Sequence, residues 1–128
     1  MVYEFVDTIF LRRVFYFVGN RNEFVAYMTK NYGKRAVVGI PKDACGLSGF
    51  VKAPALHCQG LVTRVYYIWL WCFCDNPLDN GTLSHEAFHV ATMIMEDLGV
   101  DTTDADGAEP VAYYTDALVR QFLERRVT

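Results

Sequence analysis

The residues best equipped for chemistry are His85-Glu86-Ala87-Phe88-His89, two imidazoles four positions apart with a carboxylate directly after the first. On a helix, positions i and i+4 share a face one turn apart, so both rings can reach one Zn²⁺ at roughly 2.0–2.1 Å. Glu86, one position round, borders the same point without ligating it. It is placed to take a proton from zinc-activated water, whose pKa the metal lowers to about 7. The chain has 3 His, and its composition alone would produce HExxH by chance with a probability of about 0.002. The competing reading is a pair of core histidines that hydrogen-bond locally. It leaves two imidazoles and a carboxylate in need of partners, which one divalent cation supplies together.

A catalytic zinc needs a third protein ligand and an open fourth position. Glu109, on the next helical segment, is the leading candidate. Its rival role is local, because Asp106-Gly107-Ala108-Glu109 has capping-box spacing. His57, Asp101, Asp104 and Asp106 are further candidates. Tyr113 and Tyr114 follow Glu109 by about one turn, so either phenol can serve the developing oxyanion or simply pack. Asp116 can orient a liganding imidazole or stand as an ordinary surface carboxylate. Cys72 and Cys74 share one face of a strand, but a second zinc there lacks further ligands nearby, which favours two buried apolar cysteines. An EF-hand is excluded, since Asp104-x-Asp106-Gly107 would place Thr102 first and Tyr113 twelfth in the loop.

The elements that must position these groups follow from pattern. Residues 2–18 read as two strands rich in β-branched and aromatic side chains. Asn20 to Tyr32 reads as a short amphipathic helix, capped by Asn20 and stopped by Gly33. Ala36 to Ile40 is expected to be a short strand ending at Pro41, and Lys42 to Gly60 a surface connection or loose hairpin. Leu61 to Phe73 is the strongest strand, with large side chains on both faces, so both faces should be covered. After a turn-rich linker, Thr82 to Leu98 reads as a helix apolar nearly all round and therefore buried. An acidic loop leads to a last helix, Ala108 to Arg126, whose terminal arginines suit the helix dipole. The expected fold is a single α+β domain over residues 1–128, with a small, mostly antiparallel sheet and helices on one face.

Composition narrows the function classes. The chain has 128 residues, 52% of them hydrophobic, and a net charge of −3. Such a chain can bury a core, and it lacks the basic footprint of a nucleic-acid binder. No apolar run reaches the roughly 20 residues of a membrane-spanning helix, and the N-terminus does not read as a secretory signal. A cytoplasmic location with reduced cysteines is the expectation.

HExxH followed by a helix-borne Glu some twenty residues on resembles the gluzincin branch of the zincins, with two His and one Glu around zinc. More narrowly, TLSHEAFHVATMIMEDLGV, GAEPVAYYTDAL and the upstream YYIWL resemble short phage-encoded metallopeptidases, over about residues 61–120. The resemblance implies a minimal zincin-like domain in which His85, His89 and Glu109 hold Zn²⁺ and Glu86 is the general base in amide hydrolysis. It also implies a peptide or protein substrate, and a setting in the cytoplasm of an infected bacterium or in the virion. In zincins the strand beside the active-site helix binds an extended peptide along its edge, and Val65 to Phe73 resembles that strand. The alternative is a non-enzymatic phage virion or host-interaction protein in which a structural zinc ties the last two helices together.

Overall fold

A computed structural model describes residues 1–44, 46–54, 60–103 and 105–127, with the backbone alone at 105–107 and 127. Its elements are β1 (Val2–Val6), β2 (Arg13–Val18), α1 (Arg21–Tyr32), a 3₁₀ turn (Lys34–Val37), β3 (Gly46–Pro54), β4 (Val62–Leu70), α2 (Pro77–Asp97) and α3 (Ala105–Val127). The sheet has the order β1-β2-β4-β3. β1 and β3 run antiparallel to their neighbours, and β2 and β4 pair in parallel. The fold is therefore α+β, with a mixed sheet in which two of the three pairings are antiparallel. Among the described residues no helix is long and apolar enough to cross a membrane.

Strand alternation in β2 and β4 divides the core. Val14, Tyr16, Tyr66, Ile68 and Leu70 face α2 and α3, while Phe15, Phe17, Val65, Tyr67 and Trp69 face α1. The expected placement of the helices on one face is thus corrected: α1 covers the opposite side through Phe24 and Met28. Its Phe24 ring stacks on Trp69 at 4.9 Å between centroids, and the indole Nε1 donates to the Gly19 carbonyl at 2.8 Å. Trp69 is core, and Trp71, just beyond the strand, is exposed. The helix itself starts where Asn20 and Glu23 close a reciprocal capping box.

Two other expectations change, and for residues 42–60 the hairpin alternative holds. Residues 36–40 do not form a strand, because Gly33 and Gly39 both take positive φ and close the segment into the 3₁₀ turn. Within 42–60, the described part forms β3, the first arm of a hairpin with β4. α2 begins five residues earlier than the apolar pattern suggests, since Asn76 caps the Asp79 N–H and Pro77 supplies a preset φ at the first helical position.

The β1–β2 turn is built on a buried carboxylate. Asp7 accepts N–H bonds from Ile9 and Phe10 on one oxygen and from Arg12 on the other, at 2.9, 2.8 and 2.7 Å. The Tyr114 hydroxyl lies buried beside it without closing a hydrogen bond of its own. Burial, with the Asp7 charge second, raises the phenols of Tyr16 and Tyr114. Burial, with Tyr32 next for Tyr27 and Asp97 next for Tyr66, pushes Tyr27 and Tyr66 to about 12.

Two predictions follow from these groups. Replacing Asp7 by Ala leaves three partly sheltered backbone donors without their acceptor and should cost about 1–3 kcal/mol in denaturant unfolding. The phenols are protonated in the folded chain at pH values where the unfolded chain has begun to ionise, near pH 10. Their contribution to stability is therefore complete below about pH 10 and lost as pH rises toward about 12. Melting temperature should fall steeply across that interval, with phenolate absorbance appearing together with unfolding.

Candidate metal and proton-transfer site

α2 is half sheltered, not enclosed as its apolar sequence suggested. Leu83, Glu86, Ala87, Val90, Ala91, Ile94 and Met95 are buried, whereas His85, Phe88 and His89 are exposed. The i, i+4 spacing brings the two imidazoles together: Nε2 of His85 and Nε2 of His89 stand 3.1 Å apart, with the rings nearly perpendicular. Two facing lone pairs at that distance repel unless a proton or a cation lies between them. Two ligands on a tetrahedral zinc would be about 3.3 Å apart, given zinc–nitrogen bonds of about 2.0–2.1 Å. The pair therefore fits a divalent cation with almost no movement.

Glu86 turns inward from the same helix. It is only 9% exposed. It makes no hydrogen bond or ion pair with any described residue. With His89, Thr92 and Met93 it lines a groove of about 410 Å³ whose other wall is Leu47 and Ser48 of β3. Burial, with the Glu86 charge as the second cause, raises the Tyr67 phenol on the neighbouring strand. The groove exists because α2 approaches the strand closely at Gly46. A Cβ there would lie 2.9 Å from the Thr82 methyl and 3.7 Å from Glu86 Cγ.

The remaining candidates lie elsewhere. Glu109 is exposed in the second turn of α3, and its carboxylate accepts a bond from Tyr113 at 3.4 Å. Its neighbour Pro110 shares a cavity with Met95, Tyr113 and Tyr114. Met95 is six residues from His89, about 9 Å along α2 and about 120° round it. Among the described residues, only Cys72, Cys74 and Asp79 bring three possible ligand atoms within 4.8 Å of one another. His85 and His89 thus converge and Glu109 does not join them. Tyr113, 69% exposed, stands with Glu109 away from the groove, and Tyr114 is buried against Phe10. Asp116 pairs with Arg120 at 3.1 Å on the surface of α3. Asp101 is held below the usual carboxylate range by the hydroxyl and N–H of Thr103. His57 and Asp104 lie outside the described residues, as does the side chain of Asp106.

The edge strand also differs from expectation. β4 is flanked on both sides, by β2 and β3, so Val65 to Phe73 has no open edge for a peptide. β3 is the open edge beside α2. Its far end carries Lys52 and Pro54, residues that discourage strand pairing, while the Gly46–Phe50 end along the groove carries no charge. Sequence reasoning missed Leu47 and Ser48 because a stretch of glycines and small side chains has no period to read. Compared with known protein families, curated proteins and solved structures, the chain matches none.

Gly46→Val should force the Thr82 methyl and the Glu86 stem outward, cost about 1–3 kcal/mol as an overpacked contact, and weaken any ligand of this groove. Thermal melting checks the first effect and metal titration the second.

Proposed function

We propose that the chain is a zinc-dependent hydrolase of amide bonds, acting on an extended peptide or protein segment laid along β3. The observation that carries this reading is Glu86, a residue only 9% exposed and without a partner among the described residues, lining an open groove beside two imidazoles 3.1 Å apart. An unpartnered carboxylate that opens into a groove is positioned to accept a proton from a molecule held there.

His85 and His89 would hold the metal, which when bound supplies polarisation of the amide carbonyl and acidification of water. Glu86 accepts the proton of the attacking water and returns it to the departing amine. The uncharged end of β3 offers main-chain bonds to the substrate, which fixes its direction without demanding particular side chains. No ligand role is assigned to Glu109, whose carboxylate is engaged by Tyr113. That engagement also leaves the alternative, a virion or host-interaction protein stapled by zinc between the last two helices, with less support. The phage setting rests on the resemblance alone.

A fluorogenic peptide library incubated with the zinc-loaded protein is expected to show turnover. Glu86→Gln should lower it about a hundred- to ten-thousand-fold while bound zinc, measured by elemental analysis, stays constant. Unchanged turnover in Glu86→Gln, or none in the loaded wild-type protein, contradicts the reading.

A further inference from the structure

The loop from β4 into α2 carries a second set of ligands, independent of the histidine pair. Cys72 and Cys74 are exposed and not in a disulfide, and their sulfurs and an Asp79 oxygen lie within 4.8 Å of one another. We propose that Cys72, Cys74 and Asp79 form a thiolate site for a soft or borderline divalent cation, Zn²⁺ first among them. Such a cation would tie the end of β4 to the first turn of α2.

The geometry is close to what such an ion needs. With zinc–sulfur bonds of about 2.3 Å and zinc–oxygen bonds of about 2.0–2.2 Å, sulfur and oxygen ligands of a tetrahedral ion are about 3.6 Å apart. Cys72 Sγ and Asp79 Oδ1 stand 4.0 Å apart. A few tenths of an ångström of side-chain movement closes the difference.

Asp79 is already held in place. Its N–H donates to the Asn76 cap at 2.8 Å, and its Oδ2 accepts the Cys74 N–H at 2.7 Å, leaving Oδ1 toward Cys72. A carboxylate oriented by a backbone donor is the kind of outer support that liganding carboxylates use. Among the described residues three ligands converge. Binding converts two thiols to thiolates, so each Zn²⁺ taken up releases two protons from Cys72 and Cys74, and occupancy rises with pH. Two sulfur ligands select against Mg²⁺ and Ca²⁺, which prefer oxygen.

The spacing that hides this site in the sequence is the turn itself. Cys72 and Cys74 are two ligands of a strand end, and the third comes from beyond Asn76 and Pro77, which bring the chain round into the helix.

Titration with Co²⁺ tests the site, because thiolate ligation produces a sulfur-to-metal charge-transfer band that imidazole ligation does not. The full chain should develop that band at one equivalent, and His85→Ala/His89→Ala should keep it. Cys72→Ser/Cys74→Ser, which retains Cys45 and Cys58, should lose it, and Asp79→Asn should weaken Co²⁺ binding about tenfold or more. Added Zn²⁺ should raise the melting temperature of the histidine variant, and that rise should vanish when Cys72→Ser/Cys74→Ser is added to it. A band that persists in the cysteine variant, or a full chain that develops none, overturns the proposal. Since the readout needs neither histidine nor turnover, its failure is distinct from failure of the hydrolase reading.

Discussion

At Gly46 α2 comes close to the edge of the sheet, and the space that a side chain would take there is bounded by the Thr82 methyl, the Trp69 carbonyl and the Glu86 stem. That close approach is the constraint on which the candidate site depends. It sinks Glu86 to 9% exposure while the next turn leaves His85 and His89 exposed. The resulting arrangement sets an inward-turned carboxylate beside two exposed imidazoles. The closeness is affordable because β3 is poor in bulk at this end, with glycine at positions 46 and 49. The apolar core lies instead on the two faces of β2 and β4, against α2 and α3 on one side and α1 on the other.

The central strands were legible because their residues leave little choice. Six-residue β2 and nine-residue β4 are dominated by β-branched and aromatic side chains, and both faces are buried as that composition requires. The helices were legible through their caps and stops, Asn20 and Gly33 for α1 and the Gly99 stop for α2. β3 was not, because it is held by pairing with β4 and not by its own propensities. The same tertiary override explains why α1 takes the opposite face: its few apolar positions do not say which side of a sheet will receive them. α2 showed too many apolar residues to reveal which of them would remain exposed.

At the site, whatever depends on one helix could be read directly. The meeting of His85 and His89 follows from 3.6 residues per turn and needs no tertiary knowledge. Whatever depends on two elements could not. Whether Glu109 reaches the pair is decided by the level and face at which α3 packs, and that packing places Pro110 beside Met95, far along α2 from His89. Likewise, strand order puts β3 and not β4 at the edge of the sheet, and the Cys72–Cys74 pair gains Asp79 only when the turn at Asn76 is formed.

The central claim is that one cation sits between two imidazoles on α2, with Glu86 at its side. Crystals grown with Zn²⁺ and measured on either side of the zinc absorption edge test it most directly. The account predicts an anomalous peak bonded to Nε2 of both His85 and His89, opening into the groove beside Glu86. A map with no peak between those nitrogens, while the rings keep their separation, would contradict it.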